Sequence, residues 1–232
     1  MSVGSGRIIL PQKKGKGILT PLQKEFLSSL PELQDIDYFY LTGGTALAEF
    51  YLGHRRSYDL DFFTREKDLT QPFSRIMEEK LRGSFQLTTI RRFRSFVEIE
   101  IGKEDERIRV HLAYDTPYRF ADPELSEYGI HVNDYQDLIA DKLLTFFGRW
   151  EPRDAVDLFF ILQKEEVEKL MDMAKKKDPG FDRYWFCVAL QEVESFPDDI
   201  GRWPIDPILN IDVIRLKQKF HELARRIMEK IK

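Results

Sequence analysis

Two aspartates one residue apart, Asp59 and Asp61, interrupt the apolar string "SYDLDFF" at residues 57–63. In an extended chain, side chains i and i+2 share a face, roughly 6.5–7 Å apart. The two carboxylates are therefore neighbours, while Leu60 and Phe62 point the other way. Anions that close repel, and at neutral pH they require a cation or a shared proton. A hard divalent ion such as Mg²⁺ takes carboxylate oxygens and substrate phosphates together. Paired carboxylates can hold two such ions about 3.5–4 Å apart, activating an attacking hydroxyl and neutralising a leaving phosphate. The competing reading is a surface strand with solvated aspartates. The neighbours Tyr58, Leu60, Phe62 and Phe63 favour an interior strand.

A glycine pair, Gly43-Gly44, separates the strand-like "DYFYL" from the helical "TALAEFYLG". Glycines at such a break let the backbone approach a ligand closely, and the helix that begins at Thr45 directs its first N–H groups toward an anion. A strand-GG-helix break is often only a tight turn; its value here is the Asp-x-Asp that follows at short range. Arg55 and Arg56 lie between the two features, either solvated or placed to grip a triphosphate. Ser57 completes this candidate nucleotide-binding set.

Two later positions place charge inside apolar stripes. Tyr135, Leu138, Ile139, Leu143 and Phe146 form one face of a helix, and Lys142 falls within it. Burying an ammonium is costly unless an anion meets it, so Lys142 either snorkels to the rim or reaches a phosphate or the acidic pair. Asp157 sits among Val156, Leu158, Phe159, Phe160 and Ile161, with Arg153 at i−4 as its local partner. Asp154, near the start of the same helix, suits the helix dipole.

The combination "GGTALA … HRRSYDLDFF" closely resembles the AbiEii/AbiGii-type toxin family of nucleotidyltransferases, within the DNA-polymerase-β-like superfamily. The block "DLIADKLLTFFGRWEPRDAVDLFFIL" resembles the family's lysine-bearing helix and the "R-D-x-x-D-L" helix after it, so the likeness covers roughly residues 37–163. The resemblance implies that Gly43 and Gly44 bind nucleotide phosphates, that Asp59 and Asp61 are the metal ligands, and that Lys142 and Asp157 serve the reaction. It further implies a tRNA 3′ end as acceptor and a cognate antitoxin as partner. The superfamily's third acid belongs on a neighbouring strand. In "RIRVHLAYD" that position is His111, which titrates near neutrality and can take a proton itself. Glu98 and Glu100 substitute for that acid if their strand lies beside Asp59.

These groups need a scaffold, and hydrophobic patterning supplies one. Helices are expected at "TPLQKEFLSSL", with Thr20 as N-cap and Pro21 first, and at "TQPFSRIMEEKLRG". Strands are expected at "DYFYL", "SYDLDFF", "SFQLTTIRRF", "SFVEIEI" and "RIRVHLAY", the last two alternating strictly. From about residue 134 the pattern is helical, interrupted by a Pro-rich loop, "FPDDIGRWPIDP". The expected class is α+β: a polymerase-β-like nucleotidyltransferase core over residues 1–133, a mixed sheet flanked by helices, then a helical part over 134–232. Residues 1–17, rich in Gly and Lys, are expected to be mobile.

Composition limits the alternatives. The chain has 232 residues, 42% hydrophobic and 33% charged, which suits a globular protein. No apolar run approaches the roughly 20 residues needed to cross a bilayer, and no export signal is evident. The single cysteine, Cys187, excludes a disulfide framework and fits a reducing cytoplasm. A net charge of −4 argues against wholesale nucleic-acid coating, although "RRFRSF" could guide an RNA backbone or guard a strand edge. No zinc spacing, P-loop or nucleophile elbow occurs. The function expected is a Mg²⁺-dependent nucleotidyltransferase moving a nucleoside monophosphate from an NTP to an acceptor. That acceptor is RNA, a protein side chain or a small hydroxyl compound. An NTP-binding regulatory protein without turnover is the alternative that the missing third acid supports.

Overall fold

The computed structural model describes residues 12–116 and 118–231. A seven-stranded mixed sheet forms its centre, in the order β4-β5-β6-β3-β1-β8-β7. β1 (Phe39–Thr42) is wholly buried and pairs antiparallel with β3 (Leu60–Thr64) and parallel with β8 (His131–Val132). β3 is also parallel to β6 (Glu106–Tyr114), which continues antiparallel into β5 (Phe96–Lys103) and then β4 (Gln86–Arg92). β7 (Glu124–Leu125) ends the other edge. Two short strands, β2 (Arg55–Arg56) and β9 (Asp206–Pro207), form a separate pair.

Alternation along the strands divides the sheet into two chemically different faces. Leu60, Phe62, Val97, Ile99, Ile101, Ile108, Val110 and Leu112 lie on the first and are buried. Helices α1 (Pro21–Ser29) and α3 (Thr70–Leu81) pack there, through residues such as Phe26, Phe73 and Met77. The second face carries Asp61, His111 and Glu98 in one row across β3, β6 and β5. Beside this row α2 (Gly43–Leu47) packs on β1, β3 and α4 (Tyr135–Arg149). α2 widens into a π-type turn over Ala48–Leu52 and stops at Gly53, whose φ is +67°.

Beyond α4 come α5 (Pro152–Ile161), α6 (Val167–Lys177), α7 (Arg183–Glu192) and α8 (Val213–Ile231). The buried apolar cluster runs without a break from Leu19 to Ile227, so the helical part and the sheet share one core. Cys187 is buried in α7. Among the described residues no helix is long and apolar enough to cross a membrane.

Local chemistry explains the element ends. Thr20 caps α1 by accepting from the Gln23 N–H, and Gln23 returns a bond to the Thr20 N–H, a closed capping box. The strand expected over "SYDLDFF" begins only at Leu60. Gln23 Nε2 donates to the carbonyls of Ser57 (2.9 Å) and Tyr58 (3.0 Å), and Thr45 Oγ1 donates to that of Asp59. Three consecutive carbonyls are thus engaged by side chains and cannot join a ladder.

Where the structure describes the N-terminal segment, it makes specific contacts with the rest of the fold. Lys13 pairs with Glu124, and the Gly17 and Ile18 N–H groups donate to the buried Glu49 carboxylate at 2.9 and 2.8 Å. That carboxylate, fully buried, needs donors, and Gly17 and Ile18 supply them, while the Lys13 N–H donates to the Leu125 carbonyl and that of Gly15 to Glu127. The rest of the expected mobile segment, 1–11, lies outside the described residues.

Candidate active site

The second sheet face, α2 and α4 enclose a cleft of about 740 Å³, lined by Gly43, Gly44, Arg55, Arg56, Ser57, Asp59, Asp61, His111 and Lys142, among others. It gathers residues from chain positions a hundred apart. Thr45 and Asp157 belong to the sequence-derived set but stand behind the lining, buried at 1% and 0% exposure.

Gly43 is packed against Asp61. Its φ of +69° is one that L side chains rarely adopt, and a Cβ there would fall 2.2 Å from Asp61 Oδ2. A Cβ on Gly44 would fall 2.8 Å from Arg55 Nη2 and 2.9 Å from Ser57 Oγ. The glycine pair therefore lets one backbone bend approach a carboxylate and a guanidinium at once.

Asp59 and Asp61 are both half-buried at the cleft wall. Asp61 Oδ1 lies 2.8 Å from His111 Nδ1, its register partner on β6. That bond, more than the desolvation opposing it, raises the His111 pKa above its ordinary value. Among the described residues no side chain pairs with the Asp59 carboxylate, and no cluster of three or more metal-ligating side chains exists. Two carboxylates on an open cleft suit Mg²⁺, which keeps waters and takes one or two protein carboxylates plus phosphate oxygens. They do not suit zinc, which prefers a nearly complete set of His and Cys ligands.

Behind the wall lies a buried ionic network. Asp157 is held bidentately by Arg55, through Nε at 2.6 Å and Nη2 at 2.8 Å. It also receives His54 Nε2 at 2.7 Å and Lys142 Nζ at 2.7 Å. Lys142 reaches Asp154 at 3.4 Å, and Arg149 Nε binds Asp154 at 2.7 Å. Although its burial works the other way, Lys142 and Arg55 hold the Asp157 carboxyl well below the ordinary range. Burial keeps His54 below its ordinary value, despite its bond to Asp157. Three cations thus face two buried carboxylates, which leaves positive charge at the cleft wall beside Asp59 and Asp61.

Several local expectations are revised. Arg153 pairs with Glu151 at 2.7 Å rather than with Asp157, because the Asp157 carboxylate is already occupied. β2 splits the arginine pair: Arg55 turns inward at 5% exposure, while Arg56 faces outward toward Asp206. β6 stands between β5 and β3, so Glu98 and Glu100 do not lie beside Asp59. Glu98 is held by Arg109 at 2.8 Å and Arg91 at 3.4 Å. The basic run "RRFRSF" spans the end of edge strand β4 and its turn into β5, with Arg92 on Glu78 and Arg94 on Asp68. The Lys177 side chain is enclosed between Asp137 (2.9 Å) and Asp141 (2.5 Å).

Other groups line the cleft without having been singled out from sequence. Asp115 follows β6, bonds to the Thr64 carbonyl through its N–H, and accepts from the Tyr40 hydroxyl. Asp141 is pushed up to about 6 by desolvation, which Lys177 partly offsets. Helical spacing from Lys142 reveals Thr145 and Arg149 on the same face of α4. The remaining wall, Trp203 to Asp206, comes from the Pro-rich loop.

Comparisons with known proteins agree with this architecture. The chain is 28% identical over 178 residues to protein aq_aa25 of Aquifex aeolicus, covering 76% of this chain and 82% of that one. MenT4, a nucleotidyltransferase toxin of Mycobacterium tuberculosis, superposes with a TM-score of 0.63 at 16% identity, over 89% of this chain and 82% of that one. JHP933 from Helicobacter pylori gives 0.53 at 19% identity, covering 90% of each. The fold is the mixed-sheet, polymerase-β-like nucleotidyltransferase fold. The family model described as "Nucleotidyl transferase AbiEii toxin, Type IV TA system" matches residues 25–229, and the chain belongs to that family.

Proposed function

We propose that this chain is a Mg²⁺-dependent nucleotidyltransferase that moves a nucleoside monophosphate from an NTP to an acceptor hydroxyl and releases pyrophosphate. The observation that carries the reading is one cleft shared by Asp59, Asp61 and the Gly43–Gly44 bend, with Asp61 packed against Gly43, beside a wall of excess positive charge. Asp59 and Asp61 would hold Mg²⁺, which supplies charge neutralisation to the phosphates and lowers the pKa of the attacking hydroxyl.

The protein's own groups do the rest. The glycine bend admits the triphosphate close to the backbone, with Ser57 and the Thr45 helix behind it. Lys142 and Arg149 neutralise phosphate charge, and Arg55 supports the bend from below. Asp157 acts as a positioning residue that fixes Arg55 and Lys142. His111 orients Asp61, and its role in this reading is to take the acceptor's proton. Charge stabilisation within a fixed frame supplies most of the rate in such transfers.

Membership of a type IV toxin family supports a role as the toxin of a toxin–antitoxin pair, with a cognate antitoxin as partner. The tRNA 3′ end is the acceptor we propose, on the sequence resemblance alone. The test is incubation with each α-labelled NTP, Mg²⁺ and total RNA. The reading requires label in RNA with wild type and none with Asp59→Ala. Label in protein or small molecules would redirect the acceptor; no transfer by wild type would remove the enzyme.

A further inference from the structure

The loop Trp203–Asp206 reaches the cleft from the helical part, and β9 ties it there. Arg55 pairs with Pro207 and Arg56 with Asp206. The Ile208 and Leu209 N–H groups both donate to the His54 carbonyl, at 2.9 and 3.0 Å. The Asp206 carboxylate accepts from the Tyr58 hydroxyl at 2.6 Å and faces Arg56 Nη1 at 3.4 Å. Trp203 is 4% exposed, and its Nε1–H donates to the Pro197 carbonyl at 2.8 Å. Its ring stands edge-on to Phe196 at 5.4 Å. Pro204 and Ile205 are thus presented on a strap fixed at both ends, and both line the cleft.

The two ends of the cleft differ in charge. At the end of β3 near Thr64 stand Asp115 and Asp141, whose like charges act on each other. Arg119 and Lys177 stand behind these two carboxylates and offset part of their charge, so the surface turned to the cleft there is acidic. At the Asp59 end the strap adjoins Arg55 and Arg56, and Arg55 is tied through Asp157 to Lys142. An apolar surface beside cations, in a cleft whose opposite end is acidic, matches one part of a nucleotide: the flat, π-faced base.

Resting on the nucleotidyltransferase reading, we infer that Pro204 and Ile205 form the wall against which the nucleobase of the incoming NTP packs. Neither side chain has a hydrogen-bonding group, so the wall contributes affinity for any base rather than choice among bases. Choice must come from polar groups at the base edge.

The test measures binding of non-hydrolysable ATP, GTP, CTP and UTP analogues, and of inorganic tripolyphosphate, all with Mg²⁺. Proteins are wild type, Ile205→Ala and the volume-conserving Ile205→Met. The expected result is about ten-fold weaker binding of all four analogues by Ile205→Ala, with tripolyphosphate changed less than about two-fold and Ile205→Met near wild type. Unchanged analogue binding by Ile205→Ala overturns the wall, as does an equal loss for tripolyphosphate. Wild type binding tripolyphosphate as tightly as every analogue also overturns it, while leaving the phosphate site intact. Wild type binding none of the five overturns the nucleotidyltransferase reading itself.

Discussion

Gly43 and Asp61 occupy adjoining space so closely that a single methyl group separates tolerance from collision: a Cβ on Gly43 would lie 2.2 Å from Asp61 Oδ2. Gly43→Ala therefore incurs both a left-handed backbone penalty of about 1–2 kcal/mol and displacement of the carboxylate. Nucleotidyl transfer is expected to fall at least about a hundred-fold while the fold survives. Circular dichroism melts and a label-transfer assay on the same preparation separate the two effects.

Asp157 and Asp59 should respond oppositely to removal. Asp157→Ala leaves Arg55 and Lys142 buried without their carboxylate, a loss of about 3–5 kcal/mol by analogy with broken buried pairs. Asp59→Ala removes a half-buried acid with no side-chain partner among the described residues, so stability should change by less than about 1 kcal/mol while activity is abolished. Urea unfolding of both variants checks this contrast.

His54 gives the fold a pH dependence. Its pKa in the folded protein lies below the ordinary 6.5, so below pH 6.5 the unfolded chain binds the extra proton. Stability from this group is full above that value and is lost as pH falls. Asp157, held low by Lys142 and Arg55, adds a second loss that begins only below its ordinary 3.8. Asp141 acts in the opposite sense, since a raised carboxyl gains stability on protonation below about 6. Melting temperatures of wild type and His54→Gln between pH 8 and 5 should therefore be compared as a difference, with wild type declining more steeply.

The carbonyl clamps on residues 57–59 make a further prediction. Thr45→Val keeps the buried volume but removes the donor to the Asp59 carbonyl, at a cost of about 1–3 kcal/mol. Freed from that anchor, Asp59 should bind metal less well. The Mg²⁺ concentration for half-maximal activity should rise several-fold; an unchanged value with an unchanged melt would remove the clamp's role.

Much of this was legible in the residues themselves. Thr20, Pro21 and Gln23 spell the start of α1, and β5 and β6 alternate because one face meets α1 and α3 while the other meets charge. Gly43-Gly44 and Asp59-x-Asp61 declared themselves by spacing. Asp157 announced a need for a partner by its apolar surroundings, but not that Arg55 and His54 would be the ones. Partners supplied by tertiary packing leave no local signal. The same holds for β2 and β9, two residues each, whose pairing turns a Pro-rich loop into a cleft wall. Lys177 stands in a run of three lysines, and nothing local marks it as the one that Asp137 and Asp141 enclose.

The most direct measurement is calorimetric titration of a non-hydrolysable NTP into wild type and the Asp59→Asn/Asp61→Asn double variant, each with and without Mg²⁺. Wild type should bind markedly more tightly when Mg²⁺ is present, and the double variant should bind with one weak affinity in both conditions. Equal strengthening by Mg²⁺ in both proteins would mean that the two aspartates hold no metal and that the site lies elsewhere.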